Sequence, residues 1–114
     1  MKATFVELLA FERHRADYLD DEAFLAMQNL LMKNPTSGDL IPDSGGLRKL
    51  RVGDARRGKG KRGGLRVIYY WRESGLQFWL FTLYDKDEMN DLTPQQRKAL
   101  KAMIKMEVEA RRKT

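Results

Sequence analysis

The sequence predicts an α+β domain, a small antiparallel β-sheet of about four strands packed by helices in the order β-α-α-β-β-β-α. Three observations carry that expectation. Two runs rich in β-branched and aromatic residues, 65–71 and 76–84, flank the turn Arg72-Glu73-Ser74-Gly75 and read as a hairpin. Both runs are largely apolar on both faces, as central strands between two layers are. Before and after them lie segments with helical spacing and recognisable cap residues.

Taken in order, Ala3 to Glu7 contains Thr, Phe and Val and reads as a short first strand. From Leu8 to Tyr18, the apolar positions Leu8, Phe11, Ala16 and Tyr18 give a fair helical spacing. The next helix is better marked, with Asp20 as N-cap, Leu19 and Phe24 at the two positions of a hydrophobic staple, and Asp21 and Glu22 on the first turn, where the helix dipole favours negative charge. Phe24, Met27, Leu30 and Leu31 form its expected buried stripe, and Lys33-Asn34-Pro35 supplies the stop. A turn-rich stretch, 35–46, leads to an alternating strand from Leu47 to Val52, then to a Gly-rich basic loop, 53–64. The last helix opens with Thr93 as N-cap, Pro94 at its first position and Gln96 completing a capping box. Leu100, Met103, Ile104 and Met106 are its expected apolar face, with Lys98, Lys101, Lys105 and Arg112 outward. No repeat or linker divides the chain, so a single domain over 1–114 is expected.

Composition excludes several chemistries. A chain of 114 residues can bury roughly two thirds of its unfolded surface, so it needs neither disulfides nor a structural metal. With no cysteine and one histidine, His14, it lacks the side chains for a zinc finger, an iron–sulfur site, a redox dithiol or a cysteine nucleophile, and a Ser–His pair is almost as poorly supplied. No metal or other cofactor is expected. There is no run of about 18 apolar residues and no apolar signal-peptide core, which points to a cytoplasmic protein without a membrane partner.

The charge is concentrated. Between Arg48 and Arg66 lie nine basic residues opposed only by Asp54, a net +8, against a total of +6 for the whole chain. A patch of this density on a near-neutral body suggests a docking site for a polyanion. Gly58, Gly60, Gly63 and Gly64 within it do not make a phosphate-binding P-loop, because no Gly-Lys-Ser/Thr follows and no helix begins there. They allow a basic loop to lie close to the backbone of a polyanion.

Three stretches carry a family resemblance: Gly45-Gly46-Leu47-Arg48-Lys49-Leu50-Arg51, the run from Gly58 to Tyr70, and Leu83-Tyr84-Asp85-Lys86-Asp87-Glu88 followed by Leu92-Thr93. In these the chain resembles the RelE superfamily of toxins from bacterial toxin–antitoxin modules, and within it the HigB-like branch. The resemblance implies a RelE-like fold and the toxin of a type II system, a ribosome-dependent and metal-independent mRNA endonuclease that inhibits translation. It also implies two partners, a cognate HigA-like antitoxin and a ribosome with mRNA in its A site. In such nucleases the substrate's own 2′-hydroxyl attacks the adjacent phosphorus, leaving a 2′,3′-cyclic phosphate and a 5′-hydroxyl.

That reaction asks for a base, cations to stabilise the phosphorane-like transition state, and a surface that holds the strand in line. Arg66 is the strongest candidate, a charge set among apolar residues near the start of a central strand, whose planar fork suits a phosphate. By resemblance it contacts the scissile phosphate; a structural ion pair with a carboxylate such as Glu88 is the alternative. Lys59 and Lys61 are candidates for base or electrostatic stabiliser, since neighbouring cations weaken a lysine's hold on its proton. Lys86 is placed to protonate the leaving 5′-oxygen, with Asp87 and Glu88 as rival bases. Arg48, Arg51, Arg56, Arg57 and Arg62 are expected to bind substrate, as are Tyr70 and Tyr84, the latter by stacking on a base. Alternation puts Tyr70, not Tyr69, on the face of Arg66. Two other functions remain open, a non-enzymatic ribosome- or RNA-binding protein and a ParE-type gyrase inhibitor of the same fold; Arg66, Lys59, Lys61 and Lys86 count against the second.

Overall fold

The apolar hairpin becomes the centre of the sheet. In the computed structural model, which describes residues 2–53, 64–89 and 92–112, β4 (Leu65–Arg72) and β5 (Gln77–Asp85) pair antiparallel across a short 3-10 turn, Glu73–Gly75. On one side β3 (Arg48–Val52) pairs antiparallel with β4, and the two-residue β2 (Asp39–Leu40) pairs antiparallel with β3. On the other side β1 (Thr4–Glu7) lies parallel to β5, giving the order β1-β5-β4-β3-β2. The α+β class and the expected succession of elements hold. The sheet is mixed rather than wholly antiparallel and gains β2, because two residues are too few to show a period and no local pattern in Thr4–Glu7 encodes which neighbour it meets.

Helices cover both faces. α1 (Leu9–Tyr18) and α2 (Asp21–Lys33), with Leu19 between them, bury Phe11, Leu19, Met27 and Leu31 against Leu50, Leu65, Val67, Tyr69, Phe78, Leu80 and Leu83. Each such fully buried side chain contributes about 1.5–3 kcal/mol. α3 (Pro94–Arg112) lays Leu100, Ile104 and Val108 over Ile68, Trp79, Phe81 and Tyr84 on the opposite face. A register shift between Ile68 and Tyr69 changes the alternation of β5, so that Phe81 and Tyr84 share this face.

The expected caps form. The Asp20 carboxylate accepts from the Ala23 amide at 2.7 Å, and Thr93 and Gln96 exchange the two hydrogen bonds of a capping box at 2.8 and 3.1 Å. Three residues placed in apolar stripes are instead exposed: Leu30 on α2, and Met103 and Met106 on α3. On α3, the seam is Leu100, Ile104 and Val108, a strict i, i+4, i+8 row.

Two polar networks fix the loops beside β3. The Tyr69 hydroxyl donates to the Pro35 carbonyl at 2.8 Å and accepts from the Gly38 amide at 3.0 Å, while the Arg48 guanidinium donates to the Gly38 carbonyl at 2.9 Å. Burial pushes the Tyr69 pKa up, which keeps this hydroxyl protonated as a donor. The buried Ser44 hydroxyl donates to the Ile41 carbonyl at 2.6 Å and accepts from the Leu47 amide at 3.0 Å, closing the turn that returns the chain to β3.

Candidate nucleic-acid interface

Three strands bring a row of polar side chains onto the α3 face. Arg66 on β4 stands directly opposite Arg51 on β3 and directly opposite Tyr84 on β5. Side chains opposed in this way have Cβ atoms about 5 Å apart. Arg66 is only 4% exposed and its guanidinium donates to the Leu65 carbonyl at 3.0 Å; Tyr84 is buried beside it. Arg51 is more open, its guanidinium 3.8 Å from the Asp39 carboxylate of β2. Lys49, two residues back on the same face, is paired with Asp39 in the β2–β3 register. The row therefore grades from a buried guanidinium to exposed cations at the sheet edge, a surface suited to an anion that reaches Arg66 from the side of Arg51.

The strand ends assemble the rest. The basic segment leaves the sheet at Gly53, next to Val52, and re-enters at Gly64, next to Leu65, and Val52 and Leu65 are themselves paired. Lys86 follows the last residue of β5, and its amide donates to the Gly64 carbonyl at 3.2 Å. Lys86 is thus tethered at the point where the basic segment rejoins β4. The buried Asp85 carboxylate accepts from the Asp87 amide at 2.8 Å, and its carbonyl accepts from the Glu88 and Met89 amides at 3.0 and 3.1 Å. This turn fixes the backbone around Lys86. No group of acidic or histidine side chains fit to hold a metal ion occurs among the described residues.

The sequence candidates divide by place. Arg51, Arg66 and Tyr84 form the row, with Lys86, Asp87 and Glu88 at the end of the same strand. The Glu88 carboxylate accepts from the Tyr18 hydroxyl of α1 at 3.0 Å, and Asp87 is exposed. Arg48 pairs with Tyr69 and secures the 36–38 loop beside it, away from the row. Tyr70 shares the face of Arg66, as alternation requires, but stands four residues along the strand, about 13 Å away, tilted against Trp79 at 5.2 Å. His14 is exposed on α1, in the layer on the other side of the sheet. Arg56, Arg57, Lys59, Lys61 and Arg62 lie outside the described residues.

One set of charges escaped sequence reading. Between Pro94 and Arg111 there are five basic and two acidic residues, and α3 carries them on the same side of the sheet as the row. Their outward spacing reads locally as an ordinary solvated face, and only the packing of α3 reveals their neighbours. Counting net charge segment by segment over 94–112 is the signal that finds them.

Comparison with known proteins now bears on the fold and the row together. The family described as "RelE toxin of RelE / RelB toxin-antitoxin system" matches residues 8–114. The chain belongs to the RelE toxin family. Among solved structures, this RelE family member is similar to a mutant of the E. coli toxin RelE in its free state. The two share 9% identity at a TM-score of 0.50, over 79% of this chain and 90% of that one. At that identity the likeness concerns the fold, which in both is RelE-like. No helix among the described residues of this RelE toxin is long and apolar enough to cross a membrane.

Proposed function

We propose that this RelE-family toxin is a ribosome-dependent mRNA endonuclease of the HigB-like branch, acting in the cytoplasm as a single domain and neutralised by a cognate HigA-like antitoxin. The observation that carries the reading is the opposition of Arg66 and Arg51 across two paired strands. Two guanidinium side chains on paired strands suit the non-bridging oxygens of an RNA phosphate. The phosphate's charge grows in the transition state, where such stabilisation accelerates the reaction.

In the proposed reaction a base removes the proton of the ribose 2′-hydroxyl, and the 2′-oxygen attacks the adjacent phosphorus. The bond to the 5′-oxygen breaks as that oxygen takes up a proton. The products are a 2′,3′-cyclic phosphate and a 5′-hydroxyl, with no water consumed and no metal invoked. Arg66 and Arg51 bind the non-bridging oxygens, and Tyr84, buried beside Arg66, serves to position its side chain rather than to stack on a base. Lys86 supplies the proton to the leaving oxygen. Lys59 or Lys61 serves as base or further stabiliser, with Asp87 and Glu88 as rivals for the base.

The test is a translation reaction with purified ribosomes and a defined message. Wild-type protein is expected to cut the message at A-site codons, and Arg66→Ala to lose that cutting while keeping its circular dichroism spectrum. Intact message with ribosomes still bound would favour a non-enzymatic ribosome binder, and accumulation of cleaved gyrase complexes a ParE-type inhibitor.

A further inference from the structure

A trench runs between α3 and the turn at 41–46. It begins at Lys49 and Arg97, passes Arg97, Lys98 and Lys101, and widens into a groove of about 640 Å³ whose wall carries Lys98, Lys101 and Lys105. Neighbouring stretches share lining residues, Arg97 between the first two and Lys98 and Lys101 between the last two, and the first includes Lys49, two residues before Arg51 on β3. From Arg97 to Lys105 the helix rises about 12 Å. The floor of the wide part is Tyr70 with Ile104 and Val108.

The loop wall is built to stand close. Gly45 and Gly46 have φ of +80° and +113°, and a Cβ on Gly46 would come within 3.0 Å of the Tyr70 ring. The Ser44 hydrogen bonds hold that turn in place. Acidic residues mark the trench's limits, Asp39 and Asp43 on the loop side and Glu109 at the far end. The helical layer on the other face of the sheet is polarised the opposite way: residues 9–33 carry five acidic and three basic side chains.

We propose that this trench is a second subsite for single-stranded RNA, taking the same strand onward from the Arg66 row, with phosphates on Arg97, Lys98, Lys101 and Lys105 and a base against Tyr70. It rests on the reading of RNA as the ligand of that row. A file of cations beside an aromatic ring is the combination that binds single strands without a sequence code, the cations following the backbone and the ring accepting a base. A smooth duplex would engage the lysines but has no free base to place on Tyr70. An acidic peptide would suit the lysines and the apolar floor, but nothing about it accounts for a file of cations that begins at Lys49, on the same strand as Arg51.

The test uses a 12-nucleotide oligouridine, fully 2′-O-methylated so that it cannot be cut, with fluorescence anisotropy read across a salt series. Removing the three cations in K98Q/K101Q/K105Q is expected to weaken binding about tenfold or more at low salt and to lower the log–log salt slope by about two units. K2Q/R13Q/K33Q, which removes the same charge from other surfaces, is expected to leave the slope unchanged. Tyr70→Leu is expected to weaken binding while keeping the slope, as loss of stacking without loss of charge does. Equal effects of the two triple variants would overturn the proposal. So would a 12-base-pair RNA duplex that binds with the same lysine dependence and no response to Tyr70→Leu, or polyglutamate that needs the three lysines while the oligouridine does not. Because this probe cannot react, a protein that passes here yet leaves message uncut loses the nuclease reading and keeps the trench.

Discussion

Arg51 and Arg66 are paired across β3 and β4, and Arg66 is in turn paired with Tyr84 on the next strand. The arrangement offers an anion cationic donors from two adjacent strands at once, which ties substrate binding to the same two side chains.

Replacing Arg51 should therefore cost function far more than stability. Arg51→Gln is expected to change the stability of the free protein by no more than about 0.5 kcal/mol, its exposed contact to Asp39 at 3.8 Å being weak. The same variant should cut message more slowly and bind RNA less tightly. Thermal melts with and without oligonucleotide check this: wild type should gain more from RNA than the variant does. A variant that melts lower when free would show that Arg51 serves the fold.

Tyr69 gives a prediction in pH. Burial raises its pKa above the ordinary 10.0, so the folded state holds this proton more tightly than the unfolded chain. Its contribution is complete below pH 10 and declines as pH rises through 10 toward the folded-state value. Tyr69→Phe loses the hydrogen bonds to Pro35 and Gly38 and should cost about 1–3 kcal/mol at neutral pH. The difference between the two proteins should shrink in alkaline urea melts. A difference that grows with alkalinity would reverse the sign and contradict this account.

Gly46→Ala probes the wall of the trench. Its φ of +113° is strained for any L side chain, and the added methyl would lie 3.0 Å from a Tyr70 ring carbon. A loss of about 1–3 kcal/mol is expected, read as a lower Tm, together with weaker oligouridine binding as Tyr70 is displaced. Unchanged stability would mean that the turn at 44–46 relaxes freely.

Local chemistry made much of the fold legible. Asp20, Thr93 and Gln96 announce their helices because a cap is a contact between near neighbours in sequence, and 65–84 announces a buried hairpin because both its faces are apolar. The alternation of β4 placed Tyr70 with Arg66 on one face, and the four-residue spacing already sets about 13 Å between them; it could not tell that Tyr70 packs against Trp79 in the layer under α3. Met103 and Met106 misled because two apolar side chains near a seam look local and periodic, whereas the approach angle of α3 selects Leu100, Ile104 and Val108. β2 and the parallel pairing of β1 arise from partners distant in sequence. The same limit hid the lysines of α3, which join the interface only through tertiary packing. Lys59 and Lys61 lie outside the described residues, so their roles rest on resemblance.

The most direct measurement concerns the ends of the cut message. Fragments made with ribosomes present should accept phosphate from polynucleotide kinase at their 5′ ends without prior phosphatase treatment, and should carry 2′,3′-cyclic phosphates at their 3′ ends. Arg66→Ala should give no such ends. Fragments with 5′-phosphates, or message left whole while the wild-type protein occupies the ribosome, would contradict the account.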